Sequence, residues 1–405
     1  MNQGFTQPPI RDAVTMLPIR QAKIFGREKE RSLLMSAYEE ASSGLGLVQL
    51  VAGRMGSGKT ALVHSLRDSI RLHNGLFIDG KYSPYQKDIP LFAIRQALCN
   101  LGHQLLLEEA SMRAQWIIKI LGAVGELGQL ITNLAPELEA LLGPQPAVRE
   151  VNPIEAIHRF DSVLGDFFSV FCNAEHPLLW LMDDCQWADT ASLSLLARLR
   201  INTSLHYIML VASYRSEEVD PNHPFACLVK DLHSNEVPTR LLELNDLSKN
   251  AVQEILVESL SPIYEDLDPL TQHFYDITHG NPLFVRLLVN LYKRTNSIWF
   301  DATTAMWRWD SSAMEKQQCH DLVEVFLVTL QNLTPTCREM LSIASCIGFR
   351  FALETLALAV QQTLNECQKS LREAIEQNLI SLLEKSISGE IYYIFNHDFE
   401  CDINS

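Results

Sequence analysis

The stretch Val51-Ala52-Gly53-Arg54-Met55-Gly56-Ser57-Gly58-Lys59-Thr60 limits the possible folds of this 405-residue chain more than any other. It fits the pattern G-x-x-x-x-G-K-[ST], follows the apolar run Leu45 to Ala52, and opens the helix-like segment Ala61-Leu62-Val63-His64-Ser65-Leu66. Strand, glycine loop and helix stand in the order a phosphate cradle needs. The glycines let successive backbone N–H groups turn inward around an anion, and the helix adds its positive N-terminal end. Lys59 brings a formal charge toward the outer phosphates, and Thr60 would place its hydroxyl on a magnesium ion. Chance also supplies so loose a pattern, so its weight rests on partner residues downstream.

Composition narrows the classes. A chain that is 47% hydrophobic and 20% charged is ordinary for a globular protein of two or three domains. Forty-nine acidic against 33 basic residues give a net charge of -16, which repels nucleic acid and anionic membrane unless a basic patch overrides it, and the sequence shows no such patch. The first apolar stretch is too short and interrupted for a signal peptide. No window is expected to approach the roughly 20 apolar residues of a spanning helix. The expectation is a cytoplasmic chain with no membrane and no nucleic-acid partner. Nine cysteines, Cys99, Cys172, Cys185, Cys227, Cys319, Cys337, Cys346, Cys367 and Cys401, are scattered and form no C-x-x-C pair. They are expected to be reduced and mostly buried.

Residues 1–22 carry Pro8, Pro9 and Pro18 without a sustained period and read as a linker or extended arm. Ile24-Phe25-Gly26-Arg27-Glu28 then leads a helix with Leu33, Leu34, Ala37, Tyr38 and Ala41 at helical spacing. It is either a surface for a flat ligand such as a purine or a plain lead-in. A strand-like run, Gly75 to Lys81, enters a loop from Tyr82 to Pro90. Helical spacing then extends from Leu91 to about Leu142, with Leu98, Leu101, Leu105, Leu106, Ile117, Ile118 and Leu121 as buried faces, and Gly143-Pro144-Gln145-Pro146 breaks it. A helix opened by Pro153 runs to about Phe171.

The unbroken apolar run Leu178 to Met182 has the character of a central parallel strand, and it closes on Asp183-Asp184. After a phosphate loop, such a pair would hold magnesium through water with Asp183 and orient or deprotonate a water with Asp184. Taken alone, it fits a helix N-cap acid as well. Tyr207 to Ser213 forms another strand and delivers Arg215 at its carboxyl end, where ligands of open α/β sheets sit. Arg215 could sense a γ-phosphate there, or be an exposed surface arginine. Thr239 to Leu244 reads as the last strand. The expected fold is α/β, a P-loop NTPase parallel sheet with helices on both faces, spanning 23–247.

From Ser248 the character turns helical, with faces at Val252, Ile255 and Leu256, at Leu270 to Ile277, and after Gly280-Asn281-Pro282 at Leu283 to Leu291. Ser297 to Asp310, with Trp299, Trp307 and Trp309, reads as an aromatic hairpin for stacking a ligand or for packing. This helical domain is placed at 248–318. Residues 319–405 read as three helices, near Leu322 to Leu333, Cys337 to Cys346 and Leu364 to Gln377, then strands Leu379 to Leu383 and Ile391 to Phe395. That is the order of a winged helix. The third helix sets Lys369 and Arg372 against Glu366, Glu373 and Glu376, which suits packing better than DNA reading.

The motifs Phe25-Gly26-Arg27-Glu28, Gly53–Thr60, Leu181-Met182-Asp183-Asp184-Cys185-Gln186-Trp187-Ala188-Asp189, Ala212-Ser213-Tyr214-Arg215 and Gly280-Asn281-Pro282-Leu283 keep the order of one family. The chain resembles the signal-transducing STAND class of AAA-like P-loop ATPases. Gly80-Lys81, Tyr85-Gln86-Lys87-Asp88-Ile89-Pro90, Gly143-Pro144-Gln145-Pro146 and Phe395-Asn396-His397-Asp398 are similar, more closely, to the ATPase segment of large bacterial signalling proteins. There it lies between a serine/threonine kinase domain and a GAF and sensor histidine kinase region. The resemblance covers Phe25 to Asp398.

It implies ATP or ADP and Mg2+ as cofactors. Phe25, Gly26 and Arg27 would border the adenine; Gly53, Gly56, Ser57, Gly58, Lys59 and Thr60 would hold phosphates, with Thr60 and Asp183 on the metal. Lys59, Asp184 and Arg215 would carry the chemistry, and Pro282 would bring the helical domain onto the base. ATP or ADP would set how the winged helix folds back. Nucleotide and protein partners in a kinase or two-component pathway are implied, with a nucleotide-dependent oligomer as one form. The sequence holds no glycine-rich kinase loop, no H-R-D motif and no histidine kinase box. After Asp398 the family continues with an arginine and another helix, whereas this chain ends Phe399 to Ser405, so a shortened or split member is expected.

Three functions are open at this level. One is an ATP-binding signalling module with slow regulated hydrolysis, and another a nucleotide-dependent scaffold with little turnover. The third is an ATP-dependent transcription regulator of the maltose-activator type, which needs a basic helix-turn-helix absent here.

Overall fold

A computed structural model describes residues 23–395 apart from 88, 203–204, 262–265, 318–320, 349, 378 and 383–390. The arm at 1–22, the motif Asn396-His397-Asp398, the segment 399–405, Asp88, Cys319 and Cys401 lie outside the described residues.

The first part alternates strand and helix. α1 (Glu28–Ser42), β1 (Leu47–Gly53), α2 (Lys59–His64), α3 (Arg67–Leu72) and β2 (Leu76–Lys81) precede a helical insertion of α4 (Phe92–Leu107), α5 (Ala110–Val124), α6 (Gly128–Leu134), α7 (Glu139–Leu142) and α8 (Pro153–Ser169). Then come β3 (Leu178–Asp183), α9 (Thr190–Asn202), β4 (Ile208–Tyr214), α10 (Pro224–Ser234) and β5 (Thr239–Leu244). The five strands form one sheet in the order β2-β3-β4-β1-β5, every neighbouring pair parallel.

Parallel strands need long crossovers, and these put helices on both faces, so the strands read as apolar runs. In β3, Leu178, Trp180 and Met182 face one layer with Phe167, Phe168 and Leu196, while Leu179 and Leu181 face the other with Leu34, Tyr38, Leu62 and Leu66. Trp180 stacks on Phe168 at 4.6 Å between ring centroids. The chain leaves β1 for the far edge and returns to place β4 and β5 on either side of it. That reversal leaves a crevice outside the carboxyl ends of the strands.

The second part is helical: α11 (Lys249–Ser259), α12 (Asp268–Thr278), α13 (Pro282–Arg294), the hairpin β6 (Ile298–Asp301) and β7 (Met306–Trp309), α14 (Ser311–Glu315) and α15 (Leu322–Gln331). α16 (Pro335–Ile347), β8 (Arg350–Ala352), α17 (Leu353–Val360), α18 (Leu364–Glu376), β9 (Ile380–Leu382) and β10 (Tyr392–Phe395) follow. The last three strands form an antiparallel sheet in the order β8-β10-β9. A winged-helix order is thus present, with β8 and α17 added to what the sequence pattern shows. One buried cluster runs from Phe25 and Leu247 through Phe274, Leu288 and Phe326 to Phe351 and Phe395, so the core is continuous across residue 318.

Two expectations need correction. Ile118 is 71% exposed, because Trp116, Ile120 and Val124 are the residues that meet the core. The stretch Ala110–Leu134 is long and apolar enough, by length and composition, to cross a bilayer. In the fold it packs against α8 with Trp116 stacked on Phe171 at 5.2 Å, and Gly125 breaks its helical run with φ 53°. The seven described cysteines are free thiols, as expected, and four of them, Cys172, Cys185, Cys337 and Cys367, are buried; Cys99 is half-buried and Cys227 and Cys346 are exposed.

Candidate functional site

The glycine loop leaves the carboxyl end of β1, at the crevice. A Cβ on Gly53 would lie 2.8 Å from Ser57 Oγ and 3.0 Å from the Leu244 carbonyl, so the loop turns back on itself tightly enough to need a glycine there. Gly56 and Gly58 have φ of 76° and 91°, the left-handed region that favours glycine. Lys59, buried in this ring, donates from Nζ to the carbonyls of Gly53 at 2.9 Å and Arg54 at 3.0 Å. Burial lowers its pKa, opposed by Asp184 and Asp183. Arg27 donates to the Ser57 carbonyl at 3.3 Å and to the Asn245 carbonyl, and pairs with Glu30 at 3.1 Å. It is a buried clamp between α1, the loop and the end of β5.

The acidic wall comes from β3. In the parallel pairing of β2 with β3, Lys81 is aligned with Asp183. Thr60 Oγ1 lies 2.8 and 3.0 Å from the two Asp183 carboxylate oxygens and donates to them, and the Ser213 hydroxyl donates to Asp183 from β4. Asp184 turns out of the strand with φ 57°, a conformation that Asp tolerates better than most residues. Its carboxylate lies 3.0 Å from Lys81 Nζ and accepts from Gln186 Nε2 at 3.0 Å. Gln186 Oε1 in turn accepts from the Arg215 backbone N–H at 3.1 Å. The Arg215 guanidinium stands 4.5 Å over the Trp187 ring, 2.7 Å from Glu218 and 4.0 Å from Asp184. Asp183, Asp184, Lys59 and Arg215 are each less than one tenth exposed. The site therefore brings together Lys59, Thr60, Asp183, Asp184 and Arg215 from three strand ends.

The second part of the chain reaches the same loop. Asn281 caps α13 by accepting from the N–H groups of Leu283 and Phe284, both at 3.1 Å, and donates to the Met55 carbonyl at 2.8 Å. Leu283 N–H also meets the Gly56 carbonyl at 3.4 Å. A Cβ on Gly56 would lie 2.7 Å from Asn281 Oδ1, so this glycine serves the contact as well as the turn. Pro282 occupies the first turn of α13, where its missing N–H costs nothing. Phe25 lies in the core shared with Leu247, Ala251 and Val252, and a Cβ on Gly26 would lie 2.4 Å from Ala251 Cβ. Replacing Asn281 with alanine removes the cap and the bond to Met55 together. A loss of about 1–2 kcal/mol of unfolding free energy is expected in a urea titration, and an unchanged midpoint would show that neither contact matters.

The residues fit a magnesium-bound polyphosphate. The Ser57 hydroxyl is buried and lacks a hydrogen-bond partner, and the space above Gly58 is open where a Cβ would stand. Lys59 bonds to the Gly53 and Arg54 carbonyls and Thr60 to Asp183, all groups of the site itself. Among the described residues no cluster of three or more His, Cys, Asp or Glu could hold a metal. Thr60 and Asp183 are hard oxygen donors of the kind that share magnesium with phosphates and water. Five participants had no role assigned from the sequence: Lys81, Ser213, Gln186 and Trp187, which stand within the quoted motifs, and Glu217, which accepts from the Met55 N–H at 3.1 Å. Strand register is the signal that could have found two of them, since Lys81 and Ser213 stand beside Asp183 on the flanking strands.

A glycine loop with its lysine and hydroxyl on the central strand, facing an acidic pair on another strand of a parallel sheet, defines a P-loop nucleoside triphosphatase. Residues 23–211 match the AAA ATPase domain family. Hybrid signal transduction histidine kinase G of Dictyostelium discoideum is 24% identical over 91% of this chain and 12% of its own length. Peroxide stress-activated histidine kinase mak2 of Schizosaccharomyces pombe is 24% identical over 77% of this chain and 14% of its own. The chain thus spans about an eighth of the length of these relatives. Similar solved structures include a signal transduction ATPase with numerous domains and a tetratricopeptide repeat sensor from Pyrococcus horikoshii (14% identity, TM-score 0.48, covering 95% of this chain and 42% of that one). Cdc6p from Pyrobaculum aerophilum is another (12% identity, TM-score 0.38, 97% and 94%).

Proposed function

We propose that this chain is a STAND-type signalling module that binds ATP and ADP with Mg2+, changes conformation between the two states, and hydrolyses ATP slowly. One observation carries the reading: the phosphate loop and the helical part share hydrogen bonds at its crest, from Asn281 to Met55 and from Leu283 to Gly56. A change in the loop on exchanging nucleotide is therefore felt by α13, whose buried face belongs to the core that extends to Phe395. The two histidine kinases to which the chain is similar support a place in kinase or two-component signalling, with protein partners there.

Ser57, Gly58 and Lys59 would hold the phosphates, and Thr60 and Asp183 the magnesium. Bound magnesium supplies neutralisation of phosphate charge. Asp184 would take a proton from water, and its contacts with Lys81 and Gln186 would hold the carboxylate for that role. Arg215 is tied to that carboxylate through Gln186. Hydrolysis with Asp184 so engaged is expected to be slow. The Asp184→Asn variant should bind MgATP normally and lose about a hundredfold in single-turnover hydrolysis, the size of a general-base contribution. An unchanged rate would remove the acid from the reaction and favour a scaffold with little turnover.

A further inference from the structure

The loop crest is engaged on two sides. The carbonyls of Met55 and Gly56 face α13, while the Met55 N–H faces a carboxylate, Glu217, at 3.1 Å. Glu217 lies on the short turn Ser216–Glu218 that follows β4, two residues after Arg215, and Ser216 Oγ lies 3.4 Å from its other oxygen. Neighbouring Glu218 holds the Arg215 guanidinium at 2.7 Å. A loop N–H that a terminal phosphate would seek thus already faces an anion of the protein's own.

We propose that Glu217 occupies the place of the terminal phosphate and sets the preference between ATP and ADP, an inference that rests on the nucleotide-binding reading above. ADP fills the part of the loop formed by Ser57 to Thr60 and leaves the carboxylate on Met55. ATP brings a further phosphate toward Lys59 and must displace it, since two anions cannot share one N–H donor at contact distance. Displacement moves the turn that carries Arg215 and Glu218, so the presence of the third phosphate is reported to the residue that faces Asp184. In this arrangement Glu217 favours the diphosphate state at rest.

The test compares MgATP and MgADP binding to the full chain by calorimetry, for the parent protein, Glu217→Gln and Glu217→Ala. Glu217 is exposed, so both variants are expected to fold. Loss of the charge should tighten MgATP by about tenfold and leave MgADP where it is, with both variants behaving alike. Equal changes for the two nucleotides, or none, would overturn the proposal while leaving the nucleotide site intact. Failure of the parent chain to bind either nucleotide would overturn the underlying reading itself.

Discussion

Replacing Lys59 with alanine is expected to weaken MgATP and MgADP binding by about a hundredfold, the worth of one or two hydrogen bonds to a charged group. The Lys59 ammonium is nearly buried and donates to the carbonyls of Gly53 and Arg54. A phosphate that displaces those carbonyls gains a charge-assisted bond to a buried cation, and such bonds are about twice as strong as neutral ones. The same burial makes the change mild for folding. Alanine takes the lysine donor from two carbonyls, of which that of Arg54 keeps the Ser57 N–H at 3.2 Å, but it also removes a buried cation, and these effects oppose one another. Equilibrium binding of a fluorescent ATP analogue, with thermal unfolding as the control, reads both. Parent-like affinity in the variant would mean that the loop does not bind phosphate, and the proposed function would fall with it.

The elements that place Lys59 were legible because their physics is local. A parallel strand covered on both faces must be apolar throughout, so β1, β3 and β4 stand out as runs, and the glycine loop announces a backbone conformation that other residues avoid. Ala93 shows what is not local. Its carbonyl would lie 2.0 Å from a Cβ on Gly80, so that glycine packs a helix onto β2, a fact invisible at positions 13 residues apart. The same holds for Lys81. It meets Asp184 only because β2 pairs with β3 in a register that sets Lys81 beside Asp183, about a hundred positions away in sequence. Glu217 was missed, and Gln186 left without a role, for a third reason. Short turns after strands are surface segments in pattern, and only the fold brings their side chains back over the crevice. The stretch 110–134 erred in the other direction. Its apolar residues are spread around the helices, so composition alone could not tell which of them meet the core.

The largest effect on stability is expected from Gly280→Ala, at a position that joins the two parts of the chain. Gly280 has φ 83°, and a Cβ there would stand 2.1 Å from the Leu247 carbonyl oxygen and 3.0 Å from the Leu247 carbon and nitrogen. Those atoms are backbone, and Leu247 is itself held by its N–H on the Gly280 carbonyl at 2.9 Å, so no side chain can swing aside to make room. Alanine must therefore push apart the segment that leaves β5 and the turn that enters α13. Strain at a left-handed position and the clash together should cost about 3 kcal/mol. Asn281 is the next residue, so its bond to the Met55 carbonyl is displaced with it, and nucleotide binding should weaken in the same variant. Gly58→Ala is the proper comparison. Its φ of 91° carries the same kind of conformational penalty, yet no atom lies within 4 Å of the added Cβ, so about 1–2 kcal/mol is expected there. Urea titrations of both variants without nucleotide separate the two contributions. Equal losses would show that the close approach of Gly280 to Leu247 relaxes freely, and that the helical part is not held against the phosphate loop by this contact.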